Sequence, residues 1–429
     1  MTAPSWPPVA PHAVPTPRIV LGVAGGIAAY KACEVLRLLR SAGADVTVVP
    51  TPAALEFVGA ATFEALSGHR VTTDMFTDVP QVAHVATGQA ADLVVIAPAT
   101  ADLLARAAAG RADDLLTATL LVTRAPVLMA PAMHSEMWTH PATRANVELL
   151  RSRGTTVLHP AVGRLTGADS GVGRLPDPEH IAATALLLAG RRDALPRDLH
   201  GRRVLVTAGG TREPLDPVRY LGNRSSGKQG FAIALAASTR GAQVTLVAAN
   251  TDLVGPPGVE IVPVTDAREM AAAVTDRIHG FDAVVMAAAV CDFRPMEAAA
   301  AKIKKAADAP AFPAPALSLS LAVNPDILAG LVAARTGARP VIVGFAAETG
   351  DEHGSILQHG RAKLARKGCD LLVVNGVDAG RGFEVDENSA VILAADGSAP
   401  VEVPLGPKLA LAAVLCDELS RRLASTDAR

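Results

Sequence analysis

Two stretches decide the architecture: Ser41-Ala-Gly-Ala-Asp-Val-Thr-Val-Val49 and Arg240-Gly-Ala-Gln-Val-Thr-Leu-Val247. Each reads as the end of a helix, a glycine that closes it, and the apolar second strand of a βαβ unit. Working back from the first, Ala28–Arg40 predicts a helix and Ile19–Val23 a strand. Working back from the second gives a helix starting near Lys228 and a strand at Val204–Thr207. The same unit therefore begins twice. Beyond the first copy, Leu93–Ala97 and Val127–Ala130 predict further buried strands, with helices at Ala101–Ala109 and Pro141–Arg151. Near-continuous apolar strands alternating with helices need both sheet faces covered, which argues for parallel sheets. The expected fold is α/β, with two doubly wound (Rossmann/flavodoxin-like) parallel-sheet domains in tandem. A solenoid period of roughly 33 or 40 residues is absent.

The polar, basic stretch at 191–201 is the expected linker between domains at 18–190 and 202–425. Residues 1–17 carry Pro4, Pro7, Pro8, Pro11, Pro15 and Pro17 and no apolar segment. They predict a disordered, polyproline-like tail in place of a signal or transit peptide. The chain has 429 residues, of which 50% are hydrophobic and 3% aromatic. It can bury large cores but lacks aromatic platforms for single-stranded nucleic acid. Lys+Arg 40 against Asp+Glu 42 leaves a net charge of −2, so no basic field draws it to nucleic acid or an anionic membrane. No apolar run approaches the ~18 residues of a spanning helix. Cys33, Cys291, Cys369 and Cys416 are scattered, which excludes a disulfide scaffold and a CxxC knuckle and suits a cytoplasmic enzyme.

Both units pass from strand to helix through glycine turns, Gly22-Val-Ala-Gly25-Gly26-Ile27 and Gly209-Gly210. Such a turn offers free backbone N–H groups and a helix dipole to an anion. A nicotinamide site would want an acidic residue after the second strand. The sequence has Pro50-Thr51 and Ala249-Asn250 there, so a flavin mononucleotide or a nucleoside triphosphate fits better. In the second unit an insertion, Thr211 to Ser225, brings Arg212, Glu213, Asp216, Arg219, Asn223 and Arg224 to the carboxyl end of the first strand. Such an insertion is either a solvated loop or added chemistry at the ligand edge.

Single residues carry less. His84 alone reads more readily as structural than as catalytic, and Pro131–Trp138 could be core. The run Lys302, Lys304 and Lys305 could be a solvated face. Its place ten residues after Asp292 at a strand exit favours anion chemistry. Cys291, beside a buried strand, reads as packing and not as a nucleophile.

Together, Gly22–Lys31, His84, Ala97–Asp102, Asp113-Asp114-Leu115, Pro131–Trp138 and Gly163–Arg174 resemble the flavin-dependent cysteine decarboxylases. Thr207–Lys228, Ala287–Pro295 and Lys302–Lys305 resemble the bacterial phosphopantothenate–cysteine ligases. In this order the halves resemble the bifunctional coenzyme A biosynthesis family across about residues 18–425. The resemblance implies FMN held by Gly25, Gly26, Ile27, Thr51, Ala97, Pro98, Ala99, Thr100, Asp113 and Asp114. It implies His84 as acid and base, with Met133, His134 and Arg174 at the substrate. The flavin oxidises the cysteinyl thiol so that CO₂ can leave, and the enethiolate is then reduced. In the second half the resemblance implies that Lys302 and Asn223 act on an acyl-cytidylate and that Arg219 holds phosphorylated substrate. Ala288, Asp292, Phe293, Asn324, Pro325, Asp326 and Phe345 then line the cytosine-nucleotide pocket, and Lys304 and Lys305 complete the cationic run. The implied small-molecule substrates are 4'-phosphopantothenate, L-cysteine and CTP, with Mg²⁺ whose ligands stay unassigned. The implied homo-oligomer combines trimers and dimers into a dodecamer.

Two positions depart from the pattern. The family's asparagine in Pro-x-Met-Asn is His134, and the cysteine of its substrate flap aligns with Gly167. Histidine still donates to a carboxylate. Glycine removes an acid, leaving water, Asp169 or Ser170 as proton source. Two other readings compete: a stand-alone flavoprotein with a regulatory second half, and a flavin-binding, phosphatase-inhibitor-like regulatory protein. A short-chain nicotinamide reductase fails, because neither Tyr30 nor Tyr220 has a lysine four residues on.

Overall fold

The computed structural model describes residues 16–74, 83–165, 169–304, 318–348, 355–376 and 385–427. Gly167, Lys305 and the tail up to residue 15 lie outside them. The chain divides into two compact units, Met1–Asp198 with Pro256–Gly258, and Leu199–Gly255 with Val259–Arg429.

In the first unit, β1 (Arg18–Val23), β2 (Asp45–Pro50), β3 (Leu93–Ala99), β4 (Val127–Pro131) and β5 (Thr156–Val157) form one sheet in the order β2-β1-β3-β4-β5. Every pairing is parallel. β3 is buried along its whole length, and each fully buried Val, Leu or Ile contributes about 1.5–3 kcal/mol. The order is that of flavodoxin-like folds, whose ligand crevice opens where β1 and β3 part. A hairpin of β6 (Ala161–Arg164) and β7 (Ser170–Arg174) stands apart from the sheet.

The expected helix Ala28–Arg40 is split into a 3₁₀ turn, Ile27–Lys31, and an α-helix, Ala32–Ser41. The glycine turn that precedes it is tightly packed. A Cβ on Gly25 would lie 2.5 Å from Ala53 Cβ, so the turns after β1 and β2 touch.

In the second unit the strands are β8 (Arg203–Gly209), β9 (Arg212–Pro214), β10 (Tyr220–Gly222), β11 (Gln243–Ala249), β12 (Glu260–Val264), β13 (Ala283–Met286), β14 (Phe293–Pro295), β15 (Leu321–Val323), β16 (Val341–Glu348), β17 (Leu371–Gly376), β18 (Glu387–Ala394) and β19 (Val401–Pro407). The main sheet runs β12-β11-β8-β13-β16-β17-β18-β19. Its first six strands are parallel, in the 3-2-1-4-5-6 order of a Rossmann fold; β18 and β19 are added antiparallel. The switch point lies between β8 and β13. The halves thus share a beginning and then follow different topologies. The insertion after β8 folds into the ribbon β9–β10, and a second ribbon pairs β14 with β15.

Helix Lys228–Thr239 lies close on β8, because Gly230 leaves no room for a side chain: a Cβ there would be 2.5 Å from Ala208 Cβ. Arg240 is fully buried, and its charge is met by Asp417 Oδ1 at 2.7 Å and the Ala413 carbonyl at 3.1 Å. A buried charge persists in this way only when paired and hydrogen-bonded.

Candidate functional site

At the β1/β3 switch of the first unit, Gly26 is extended and precedes the 3₁₀ turn, whose first N–H groups have no partner within it. Ile27 beside it is exposed. Thr51 follows β2 and caps the next 3₁₀ turn; its N–H donates to the Val23 carbonyl (2.9 Å) and its hydroxyl accepts from Ala54 N–H (3.2 Å). Ala97, Pro98 and Ala99 are buried at the end of β3, and the Pro98 carbonyl accepts from Ala24 N–H at 3.2 Å. Thr100 follows and caps helix Ala101–Ala109 through Leu103 N–H. The ends of β1, β2 and β3 are thereby bound to one another around one crevice. Its donors are backbone N–H groups and hydroxyls, which fits a phosphorylated flavin.

Asp113 and Asp114 have other partners. Arg106 spans Asp102 (2.9 Å), Asp113 (3.0 Å) and Asp114 (2.7 Å), and Arg111 adds a bond to Asp113 at 2.6 Å. Asp114 also forms a capping box with Thr117 at the start of helix Leu115–Val122. The Arg106 bond holds Asp113 below the usual carboxylate range. Burial opposes ionisation of Asp114, but its bonds from Arg106 and Thr117 outweigh it. These carboxylates therefore organise the start of helix Leu115–Val122 and its tie to helix Ala101–Ala109.

His84 lies in the first turn of helix Ala83–Ala90. That helix packs tightly on Leu115–Val122 through Gly88, where a Cβ would meet Val122 Cγ2 at 2.6 Å. His84 Nδ1 is buried without a hydrogen-bond partner among the described residues. The Nδ1 of His180 is likewise buried without a partner among the described residues, so the orphaned nitrogen alone does not single out a site.

The hairpin β6–β7 docks on the turn after β4. Met133 N–H donates to the Gly173 carbonyl (2.9 Å) and Ser135 Oγ to the Val172 carbonyl (2.7 Å). A Cβ on Gly173, at φ +145°, would lie 2.1 Å from the Met133 carbonyl oxygen, so only glycine permits this approach. The sequence does not announce the Met133–Gly173 and Ser135–Val172 bonds, which need Gly173 a hairpin away. His134 precedes helix Ser135–Thr139 with Nδ1 3.6 Å from Glu136. Arg174 lies 3.7 Å from Asp177. Lys31, the last residue of the 3₁₀ turn, is held below its ordinary pKa, first by burial and then by the Arg174 charge. Two cations thus meet at this end of the unit.

In the second unit the geometry centres on the β8/β13 switch. β13 stops at Met286, earlier than the run Val284–Ala289 suggests, and Ala287–Asp292 crosses the switch as irregular chain. It is held there by side chains. Thr207 Oγ1 accepts from Ala288 N–H (3.1 Å), and Thr211 Oγ1 accepts from Cys291 N–H (2.9 Å). Asn223 Nδ2 donates to the Val290 carbonyl at 3.0 Å. Asn324 Nδ2 donates to the Cys291 carbonyl (2.9 Å), and Asn324 N–H donates to the Asp292 carbonyl (2.8 Å). Asn223, Ala288, Asp292 and Asn324 are therefore one connected set. Asp292 and Phe293 are exposed beside it. Cys291 is buried, with its thiol directed at the Thr211 carbonyl (3.5 Å), a packing role.

Asp216 accepts from Arg219 Nη2 at 2.6 Å, and the same guanidinium reaches the Ile303 carbonyl at 2.8 Å. Ile303 N–H in turn donates to Asp216 (3.2 Å). Arg219 depresses the Asp216 carboxyl far below its usual range. This clamp fixes Ile303 and leaves its neighbours Lys302 and Lys304 exposed. Asp326 caps helix Ile327–Ala334 and pairs with Lys367, a cation that the sequence reading passed over. Pro325 is exposed between Asn324 and Asp326, and Phe345 is half-buried near the end of β16. Glu213, part of the polar insertion, is buried and caps helix Ala267–Thr275 through Ala267 N–H (3.0 Å). Its role is structural.

A cavity of about 380 Å³ lies at the opposite edge of the second sheet, lined by Ile278–Asp282, Arg335 and Arg339. Its guanidinium groups are paired with Asp282, Asp370 and Asp427, so it holds no free charge for chemistry. Among the described residues no group of His, Cys, Asp or Glu could hold a metal ion, and no helix is long and apolar enough to cross a membrane.

The strand orders define a class: a flavodoxin-like unit followed by a Rossmann unit. Residues 10–188 match the family model described as Flavoprotein, and residues 199–423 match the DNA/pantothenate metabolism flavoprotein C-terminal domain. The coenzyme A biosynthesis bifunctional protein of Mycobacterium tuberculosis is 63% identical over 386 residues, which cover 89% of this chain and 91% of that protein. The Escherichia coli protein of the same name is 43% identical over 408 residues, covering 94% and 97%. A solved C-terminal domain of such a protein is 31% identical and covers 53% of this chain and 99% of that one, with a TM-score of 0.43. The chain belongs to the family of bifunctional coenzyme A biosynthesis proteins, which joins a flavoprotein decarboxylase half to a phosphopantothenate–cysteine ligase half.

Proposed function

We propose that the domain at 202–425 ligates 4'-phosphopantothenate to L-cysteine at the expense of CTP. The domain at 18–190 then decarboxylates the product with FMN. The observation that supports this most is the hydrogen-bonded set of Asn223, Ala288, Asp292 and Asn324 at the second-unit switch, together with a clamp on Ile303 that leaves Lys302 and Lys304 exposed. Activating a carboxylate needs cations against a triphosphate and a polar edge that orients the acyl group. In this reading the substrate carboxylate attacks the α-phosphorus of CTP and pyrophosphate leaves. The cysteine amine then displaces CMP. Lys302 and Asn223 hold the acyl-cytidylate, while Lys304, Lys305 and Lys367 offset phosphate charge. Arg219 acts through the clamp more than as a free phosphate ligand. Asp292, Phe293, Pro325, Asp326 and Phe345 border the cytosine pocket. Mg²⁺ enters on the triphosphate, as is usual for this ion.

In the first unit the Gly25–Ile27 turn, Thr51 and Ala97–Thr100 are the proposed FMN cradle. When bound, FMN supplies the two-electron chemistry that turns the cysteinyl carboxylate into a leaving group. His84 exchanges a proton with the substrate through its ring. His134 donates to the departing carboxylate, and Arg174 and Lys31 offset the substrate's negative charge. With Gly167 in place of a thiol, the final proton comes from water, Asp169 or Ser170. The proposed location is cytoplasmic, and the proposed assembly is a homo-oligomer of trimers and dimers, up to a dodecamer.

The regulatory alternative predicts neither flavin turnover nor CTP dependence. Pyrophosphate release measured with CTP, phosphopantothenate and Mg²⁺ separates the readings. We expect release with CTP; equal turnover with ATP alone would overturn the nucleotide assignment.

A further inference from the structure

We infer that Asn250 is a positioning residue of the ligase site, one that sets the turn from which Ala289–Asp292 is hung. This rests on the ligase reading of the second unit. Asn250 follows β11 and is the one non-glycine among the described residues with a positive φ, at 48°. That left-handed conformation is disfavoured for most side chains and tolerated by asparagine. Here it turns the amide inward. Both hydrogens of Nδ2 are used, one on the Gly210 carbonyl at 2.9 Å and one on the Thr265 carbonyl at 2.8 Å.

These two bonds tie together the turns that follow β8, β11 and β12. The same Thr265 carbonyl accepts from Arg212 N–H at 2.9 Å, which fastens the start of the insertion. From Gly210 and Thr211 the connection crosses the switch. Thr211 N–H donates to the Ala289 carbonyl (3.1 Å), Ala289 N–H donates to the Gly209 carbonyl (2.9 Å), and Cys291 N–H donates to Thr211 Oγ1 (2.9 Å). Val290, Cys291 and Asp292 then supply the carbonyls that hold Asn223 and Asn324. Asn250 is thus three hydrogen bonds from Asn223, which the proposed function sets on the acyl-nucleotide.

The residue type follows from this task. Glycine would accept the backbone angle but leave both carbonyls without these donors. Aspartate would keep the shape but set a carboxylate against two carbonyl oxygens. The nicotinamide-binding relatives of this fold place an acidic side chain here to grip a ribose. In this chain the position faces the protein.

The test uses the full-length chain and follows pyrophosphate release with CTP, phosphopantothenate, cysteine and Mg²⁺. For Asn250→Gly we expect the ligase kcat to fall about 10- to 100-fold through misplacement. KM for CTP should stay within about two-fold, the signature of an interaction lost in the transition state. Asn250→Asp should lose more. Decarboxylation of added phosphopantothenoylcysteine, measured on the same samples, should equal that of the parent. An active parent with Asn250→Gly retaining its kcat overturns the positioning role alone. A raised KM for CTP with unchanged kcat overturns it too, because it would mark a residue that only shapes binding. An inactive parent overturns the ligase reading and this role with it.

Discussion

In the proposed function Lys302 and His84 are the residues on which the two reactions turn, and each is placed by a different device. Lys302 is carried on a strand-free segment that the Asp216–Arg219 pair grips at the next residue. Removing its charge should leave the clamp intact. We expect Lys302→Gln to slow ligation by roughly 100-fold or more, in line with loss of one electrostatic stabiliser. Acyl-cytidylate should accumulate, visible by mass spectrometry of quenched reactions; unaltered turnover would remove the assigned role. His84 carries the unpartnered Nδ1. His84→Gln should cut decarboxylation by roughly 10²- to 10⁴-fold, the usual weight of general acid–base catalysis. The yellow flavin absorbance should remain, and its loss would show that His84 supports the cofactor cradle. These residue types were legible in the sequence, because lysine clusters and isolated histidines stand out. What held them was not. The Asp216–Arg219 clamp grips Ile303 from 87 and 84 residues earlier in the chain, and no local pattern records such a contact.

Among the elements, the strand-to-helix turns carry the sites, and their glycines are not equivalent. Gly43, at φ +88°, has open space around its Cβ position, whereas a Cβ on Gly209, at φ +83°, would lie 1.9 Å from the Ala249 carbonyl oxygen. Gly43→Ala should therefore cost about 1–2 kcal/mol, the left-handed penalty alone. Gly209→Ala should cost more than that and should also lower ligase activity, since Gly209 accepts the Ala289 N–H. Equal melting shifts for the two variants would contradict the contact. Strand positions were readable because apolar runs are dense: Ile19–Val23 and Leu93–Ala97 each lie inside an observed strand. The short ribbons β9–β10 and β14–β15 were not, since three-residue strands give no alternation to count. The helix expected from Ala28 is split, and the packing of Gly25 on Ala53 that precedes it is a tertiary fact.

Across the whole molecule, the repeated βαβ start misleads in one respect: it announces two similar halves, yet the sheets take flavodoxin-like and Rossmann orders. Strand order depends on where each crossover returns, which the local pattern leaves open. One titration acts at the level of global stability. Burial, aided by the Arg151 charge, lowers His159 to a pKa of about 4 from an ordinary 6.5. Between those values the unfolded chain binds a proton that the folded chain refuses, so stability rises with pH across that window and falls as the pH drops from 6.5 toward 4. His159→Gln should flatten that part of a melting-temperature profile of the full chain; an unchanged slope would assign the acid sensitivity elsewhere.

The central claim is that one chain performs ligation and then decarboxylation. The most direct measurement is mass spectrometry of products after the purified chain, with FMN bound, is given 4'-phosphopantothenate, L-cysteine, CTP and Mg²⁺. We expect conversion to 4'-phosphopantetheine, with one pyrophosphate and one CMP released for each. Accumulation of phosphopantothenoylcysteine without loss of CO₂, or no product at all, would contradict it.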